Sequence, residues 1–250
     1  MKILALDSSG LVASVAVVEN ETLLAEYTVN YKKTHSQTLL PMLDEISNMT
    51  ELDLSTIDAI AVSGGPGSFT GLRIGSATAK GLGLALDKPL ISIPTTAAIA
   101  YNIWDTGKFV CPIMDARRNQ VYAGLYCYTN HKLDTIWEQD AMSIEDLAEG
   151  LNCLDHEVIF LGDGVPVNRA VIEEEMQVPY SFAPAQASRQ RASAVAALGA
   201  VYLAEGKTET AAGHKPDYLR KSQAEREREV AERQGEMDKL AAGIVVVEKK

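Results

Sequence analysis

The sequence predicts an α/β protein built on a mixed five-stranded sheet flanked by helices, and three observations support this class. Short apolar runs bounded by turn residues, typical of strands, occur at residues 3–6, 12–18, 22–29, 59–62 and 90–93. Segments with helical apolar periodicity or capping signals occur at residues 36–49, 68–86 and 95–104. The 250 residues are 46% hydrophobic and 23% charged, which is the balance of a globular chain.

The spacing of these elements predicts how the strands connect. Only tight turns, at Asp7–Gly10 and Glu19–Asn20, separate the first three strands, so we expect an antiparallel meander. Each later strand is reached through a helix, which favours parallel crossovers. The order β-β-β-α-β-α-β-α is that of the ribonuclease-H-like half of the actin-like ATPase and sugar-kinase fold.

Two residues predict where the helices of this region begin. Pro41 lies inside the first helical pattern and cannot donate to the carbonyl of Gln37, so we expect a kink or a late helix start. Ser68 or Thr70 is expected to cap the second helix, which runs to about Leu86.

The composition changes after residue 104 and predicts a second region. A hairpin is expected at 109–115 and 120–128, then a helix at 143–151, a strand at 158–161 and an Ala-rich helix at 191–205. We therefore expect a ribonuclease-H-like domain at 1–104 that carries the dimer interface, a smaller acidic α/β domain at 105–221, and a charged tail at 222–250 that is frayed or disordered. The helix at 191–205 is expected to pack across the junction of the two domains.

The net charge of −11 excludes a broad nucleic-acid-binding face, because phosphate contacts need a basic field, and leaves open a small basic patch. Between Asn130 and Met176, twelve Asp or Glu residues stand against two basic residues. This stretch could attract a basic partner, but a solvated acidic surface is the favoured interpretation.

The cysteines and the apolar segments bear on the compartment. The three cysteines share no C-x-x-C spacing and lie in apolar surroundings, as expected of free core thiols in a reducing compartment. No signal peptide is evident and no run approaches 18 apolar residues, so we expect a soluble, cytoplasmic protein without a membrane partner.

The sequence predicts no catalytic, cofactor-binding or metal-binding residues. No two of the four histidines have the i, i+4 spacing of a metal motif, and no Gly-x-Ser-x-Gly elbow is present. Asp7, Ser8 and Ser9 could form a vestigial phosphate loop, because short side chains let backbone N–H groups reach an anion; the alternative is that Asp7 only closes the turn.

Three other short segments are candidate anion sites. A second Asp-x-Gly-Gly-type loop is absent, and Gly162-Asp163-Gly164 favours a β-turn because nearby acids oppose a polyanion. Gly64–Ser68 precedes a helix but lacks the ending of a P-loop. Arg117 and Arg118 could hold a phosphate or RNA, but an ion pair at the hairpin tip, near Asp115, is favoured.

The second helix carries an unusual stripe of small residues. Gly71, Gly75, Ala79 and Gly83 are each four residues apart, and every interior glycine costs about 0.5–1 kcal/mol against alanine. A smooth stripe lets another backbone approach closely, so we expect a partner interface here; packing on the protein's own sheet is the alternative. The predicted interface comprises Leu39, Leu43, Ile46, Gly71, Leu72, Gly75, Ala79 and Gly83.

Five segments together resemble the bacterial TsaB family over residues 1–222. They are Met1–Ser9, Thr34–Pro41, Ser63–Gly75, Asp115–Arg118 with Val121-Tyr122, and Pro216–Arg220. Gly-Pro-Gly-Ser-Phe-Thr-Gly-Leu-Arg is long and specific, whereas Asp7-Ser8-Ser9 departs from the commoner Asp-Thr-Ser.

The resemblance implies a non-catalytic paralogue of the threonylcarbamoyl transferase TsaD with the same two-domain fold. Such a subunit pairs with TsaD through its first two helices, forms a homodimer when alone, and uses no cofactor. With the ATPase TsaE it supports formation of N6-threonylcarbamoyladenosine at position 37 of tRNA, and it meets tRNA only through the complex. Two alternatives stay open: a small-molecule kinase of the actin-like superfamily, and a metallopeptidase-like enzyme, against which the histidine spacing argues.

Overall fold

The computed structural model describes residues 1–31 and 34–220, which form ten strands and six helices. The first half consists of β1 (Lys2–Asp7), β2 (Val12–Glu19), β3 (Thr22–Asn30), α1 (Leu39–Thr50), β4 (Ala59–Gly65), α2 (Phe69–Leu86), β5 (Leu90–Pro94) and α3 (Thr95–Ala100). The second half consists of β6 (Phe109–Arg117), β7 (Gln120–Thr129), β8 (Lys132–Ser143), α4 (Ile144–Asn152), β9 (Val158–Leu161), α5 (Val165–Glu175), β10 (Tyr180–Phe182) and α6 (Ala192–Ala204).

The two halves repeat one topology. The first sheet has the order β3-β2-β1-β4-β5, and the second has the matching order β8-β7-β6-β9-β10. In each sheet the first three strands pair antiparallel and the last two join in parallel. Each half is therefore a β-β-β-α-β-α-β-α unit, a repeat that the sequence does not reveal.

The halves are joined by a shared core, because the last helix of each packs on strands of the other. Helix α6 packs on β1 and β2, and α3 packs on β6 and β7. Buried residues of both halves, such as Ile3, Val110, Tyr126 and Val195, form one apolar cluster. Residues 1–218 make one compact unit, and the division into domains at residues 104 and 105 stays a prediction.

The first half follows the sequence-based expectations closely. Helix α1 begins late, at Leu39, after a 3-10 turn at His35–Gln37. Pro41 then occupies the first helical turn, where the missing N–H group costs no intrahelical hydrogen bond. Ser68 caps α2 by accepting from the Gly71 N–H. Helix α3 ends at Ala100, four residues earlier than expected, because the next residues form i→i+3 turns.

The second half contains three elements that the sequence did not predict: β8, α5 and β10. Strand β8 lies at the edge of its sheet and carries charged residues, so its hydrophobic pattern is weak. The acidic stretch, residues 130–176, thus includes the edge strand β8 and the exposed sides of the half-buried helices α4 and α5. The expected tail at 222–250 lies outside the described residues.

The structure also bears on the cysteines and on membrane-spanning segments. Cys111 is buried as expected, but Cys153 is exposed, so not all the thiols belong to the core. Within residues 1–31 and 34–220, no helix has both the length and the apolar character needed to cross a bilayer.

Candidate functional site

The turn after β1, which we call the first turn (Asp7–Gly10), is closed by its own hydrogen bonds. Asp7 is fully buried, and its Oδ1 accepts from the Ser9 N–H at 2.9 Å and the Ser9 hydroxyl at 2.7 Å. Its Oδ2 accepts from the Ser63 hydroxyl at 2.5 Å. Burial raises the pKa of Asp7 above its usual range, although these hydrogen bonds oppose the shift. Both carboxylate oxygens are therefore occupied by the protein itself.

The first turn also packs directly against the start of α2. The Ser8 hydroxyl donates to the Gly71 carbonyl at 2.9 Å, and the Ser9 carbonyl accepts from the Ser68 N–H at 2.6 Å. A Cβ atom on Gly71 would overlap the Ser8 carbonyl oxygen. Helix α2 needs glycine at this position because another stretch of backbone lies against it.

The glycine stripe of α2 (Gly71, Gly75, Ala79 and Gly83) thus faces the protein's own interior. A Cβ atom on Gly75 would lie 2.5 Å from the Ser8 Oγ, and one on Gly83 would lie 2.9 Å from the Ala211 Cβ. Ala79 is fully buried. The prediction that this stripe faces outward is wrong, because the close approach it permits is to the first turn and to residue 211.

The other predicted interface residues are buried as well. Leu39, Leu43 and Ile46 of α1 belong, with Ala79, to the apolar cluster on one face of the first sheet, and Leu72 is buried too. They are core residues and leave no side-chain surface for a partner. The residues chosen for the interface are therefore wrong, while the choice of α1 and α2 as the interface helices stays a prediction.

What we call the outer face of α1 and α2 is the set of exposed small and apolar residues Leu40 and Met49 of α1 and Ala77, Gly81, Leu84 and Ala85 of α2. The large apolar side chains among them are well exposed, at 54% for Leu40, 77% for Met49 and 65% for Leu84. A Cβ atom on Gly81 would meet no heavy atom within 4 Å. The outward small residues of α2 are therefore offset from the stripe that the spacing singled out.

Groups from both halves meet beside Gly10. His35 donates its Nε2–H to the Gly10 carbonyl at 2.8 Å. A Cβ atom on Gly10 would lie 2.5 Å from the Gln190 Nε2 and 3.2 Å from the Asp163 Oδ2. Gln190 is only 1% exposed, and neither of its amide atoms has a hydrogen-bond partner. No sequence motif pointed to Gln190, because its neighbours meet only in the folded chain.

Asp163 links the surroundings of Gly10 to the β6–β7 hairpin. It lies in the predicted turn between β9 and α5, where the Val165 N–H donates to the Gly162 carbonyl. Burial raises the pKa of Asp163, while the charge of Arg189 and the N–H of Asp115 act in the opposite direction. The Asp163 carboxylate thus contacts the backbone of β6 just before the hairpin tip.

The tip of that hairpin, which we call the arginine tip (Arg117, Arg118 and Asn119), is exposed. The Asp115 Oδ1 accepts from the backbone N–H of Arg117 at 2.7 Å. Neither guanidinium has an ion-pair or hydrogen-bond partner in the part of the chain that the structure describes. The favoured expectation of an ion pair at this tip is wrong, because Asp115 holds the backbone instead.

Comparisons with known proteins decide the family. A family model described as TsaD, tRNA N6-adenosine threonylcarbamoyltransferase, matches residues 22–228. The tRNA threonylcarbamoyladenosine biosynthesis protein TsaB of Bacillus subtilis is 34% identical over 225 residues, which cover 90% of this chain and 96% of that protein. This chain belongs to the TsaB family.

Other relatives agree with this assignment to the TsaB family. TsaB of Escherichia coli is 36% identical over 128 residues, or 50% of this chain and 55% of that protein. The solved structure of YeaZ from Pseudomonas aeruginosa is 26% identical, with a TM-score of 0.76 over 87% of this chain and 99% of that chain. The expected α/β fold of the actin-like ATPase and sugar-kinase class is confirmed, with two mixed five-stranded sheets instead of one.

Proposed function

We propose that this TsaB-family chain is a non-catalytic scaffold subunit in the cytoplasmic synthesis of N6-threonylcarbamoyladenosine on tRNA. It pairs with a TsaD-type transferase, which carries the chemistry, and the assembly also contains TsaE. Alone, the chain forms a homodimer through the face that it otherwise offers to TsaD. The similarity to a threonylcarbamoyladenosine biosynthesis protein over 90% of the chain supports this assignment.

The observation that carries the non-catalytic role is the occupied state of the first turn. A carboxylate that positions a metal-bound nucleotide must be reached by the metal or its water, yet Asp7 is fully buried and its oxygens accept hydrogen bonds from Ser9 and Ser63. Gln190 and Asp163 lie directly against Gly10, where a phosphate would have to approach the backbone. This arrangement favours a structural turn over a phosphate loop and argues against the kinase alternative.

The pairing surface in this proposal is the outer face of α1 and α2. Leu40, Met49 and Leu84 supply exposed apolar side chains, and Gly81 allows a close approach of a second helix. Burial of such residues is the main favourable contribution to association, at about 25 cal/mol per Å² of apolar surface. A single bulky charge at Gly81 would clash with the partner and be desolvated there.

The test is the Gly81→Arg substitution, assayed with the host's TsaD-type protein. We expect a chain that is folded by circular dichroism, because arginine is a better helix former than glycine. We also expect loss of the heterodimer and of the homodimer on size-exclusion chromatography, with at least a tenfold weaker affinity for TsaD. Threonylcarbamoyladenosine formation by the reconstituted assembly should fall in parallel.

The matched control is Ala170→Arg, which places the same charge at an exposed small residue of α5, the equivalent helix of the second half. This variant should pair normally. A folded Gly81→Arg chain that still pairs would refute the interface. ATP hydrolysis by the pure chain that disappears in Asp7→Ala would refute the non-catalytic role and favour a kinase.

A further inference from the structure

We propose that the arginine tip contacts the phosphate backbone of the substrate RNA in the assembled complex. This inference rests on the proposed function, because the chain meets tRNA there only together with its partner. It adds a binding surface in the second half of the chain, in a different place from the pairing face on α1 and α2. The ligand chemistry is a phosphodiester, recognised by two guanidinium groups and an amide.

The two guanidinium groups of the arginine tip are unengaged within the described residues. Other arginines of the chain are engaged. Arg73 lies over the Phe69 ring, and Arg189 donates to backbone carbonyls. Arg169 and Arg191 pair with glutamates. Arg117 and Arg118 have no such contact within residues 1–31 and 34–220. A guanidinium presents five donors in a fork that matches phosphate oxygens.

The arginine tip lies in an acidic protein. The chain as a whole carries a net charge of −11, and the second half holds most of this excess. Two adjacent unpaired arginines would be expected to find a carboxylate in such a chain. Asp115 is the nearest acidic residue in sequence, but its Oδ1 accepts from the Arg117 backbone N–H instead. The fold therefore keeps the positive charge of the tip available.

The backbone of the arginine tip has an uncommon conformation. Arg117, Arg118 and Asn119 all have positive φ, at 61°, 57° and 57°. The left-handed region suits glycine and asparagine, whereas an arginine there is uncommon and costs free energy. Residues held in such conformations cluster at functional sites. Long cationic side chains at these two positions are thus kept at a cost in stability.

The arginine tip lies at the end of β6, in the turn that joins β6 to β7. By topology, the β6–β7 turn is the counterpart of the first turn between β1 and β2. Asp163 accepts from the N–H of Asp115 and also lies against Gly10, so it connects the two turns. The arginine tip therefore follows a strand that Asp163 connects to the closed turn at Asp7–Gly10.

The chemistry of the tip favours RNA over an acidic protein. Arginines that anchor protein interfaces are enclosed by apolar residues that exclude water. Residues 115 and 117–119 are all exposed and contain no apolar side chain, so such an enclosure is absent from the tip itself. Contacts to a phosphate backbone are instead made by exposed Arg and Asn side chains at a polar surface, which position the nucleic acid without reading its sequence.

The experiment measures binding of an unmodified tRNA transcript to the assembled complex with the TsaD-type partner, as a function of salt. The variant is Arg117→Gln with Arg118→Gln. The matched control is Lys88→Gln with Lys132→Gln, which removes the same charge from two other exposed or half-exposed cations. A second variant, Arg117→Lys with Arg118→Lys, keeps the charge and removes the guanidinium fork.

We expect the Arg→Gln pair to weaken tRNA binding about tenfold at 0.1 M salt and to reduce the slope of log affinity against log salt by about 1.4–1.8. The Arg→Lys pair should keep the slope and lose only part of the affinity, and the control pair should bind like the wild type. Assembly with the partner, measured without RNA, should be unchanged for every variant.

Three outcomes would overturn the inference. Unchanged tRNA binding by the Arg→Gln pair would exclude a phosphate contact. Weaker assembly without RNA would identify the tip as a protein contact. Loss of ATP or ADP binding with intact tRNA binding would assign the tip to a free nucleotide. A wild-type complex that fails to form or to bind tRNA would refute the proposed function itself, and the wild-type arm reports this separately.

Discussion

The two halves of the molecule share one topology, yet the turns that follow their first strands are opposite in character. The first turn, Asp7–Gly10, is buried, and its polar groups bond to one another and to α2. The arginine tip, which occupies the equivalent place in the second half, is exposed, and its guanidinium groups have no hydrogen-bond or ion-pair partner within the described residues. A repeated fold therefore fixes where a turn lies, while the residues in it decide whether it serves the core or the surface.

Helices α2 and α5, which follow the fourth strand of each half, also differ in their contacts with these turns. Helix α2 has 18 residues, and its glycines pack against the first turn. Helix α5 has 11 residues, and Pro166 lies near its N-terminus. The close contact in the first half depends on the absence of side chains at Gly71 and Gly75. In the second half, Gly162 and Gly164 lie against the backbone of Ile113, and Asp163 between them lies near Gly10 and the backbone of Asp115.

The largest effect is expected for Gly75→Arg, which tests whether the first turn belongs to the core. The new side chain would begin 2.5 Å from the Ser8 Oγ and would bury a charge without a partner, which costs several kcal/mol. We expect a chain that fails to fold, as measured by circular dichroism and by recovery of soluble protein. Gly81→Arg, on the outer face of the same helix, should fold; a folded Gly75→Arg chain would show that the glycine stripe is not packed inside.

A pH-dependent effect is expected at Asp7, whose folded pKa is raised above 3.8 by burial. Below that pH the side chain is protonated in both the folded and the unfolded chain. As the pH rises from about 4 through the raised folded pKa, the unfolded chain ionises first, so the wild type loses free energy of unfolding. Asp7→Asn removes this loss, and its stability relative to the wild type should increase with pH until Asp7 is ionised in both states.

Urea denaturation of both proteins between pH 4 and 8 measures this difference. Subtracting the two curves cancels the titration of the other carboxylates. A difference that is constant with pH would mean that Asp7 titrates normally in the folded protein.

The smallest effect is expected for Arg118→Gly in the arginine tip. Glycine adopts the φ of 57° without strain, and the relief exceeds the entropy that glycine loses on folding, so we expect a gain of about 0.5 kcal/mol. For a chain of this length the melting temperature should rise by about 1–2 °C. Arg118→Ala keeps the strained conformation and should bring no gain; equal stabilisation by alanine would point to charge instead of backbone strain.

Much of the first half was predictable because its information is local. Tight turns and apolar runs determined β1 to β5, Pro41 determined the late start of α1, and Ser68 determined the start of α2. The family resemblance rested on the same kind of information, since it came from short contiguous segments. The exposed edge strand β8 escaped prediction because its charged residues hide the alternating pattern.

The sequence by itself determined that Gly71, Gly75, Ala79 and Gly83 share one side of a helix and that two arginines stand beside an aspartate. Only the tertiary structure decided that the stripe faces Ser8 and that Asp115 bonds to the backbone of Arg117. It also brought Gln190 against Gly10, 180 positions earlier in the chain. Helical spacing fixes which residues lie together on one face, but the direction of that face depends on contacts between segments distant in sequence, which form only when the chain folds.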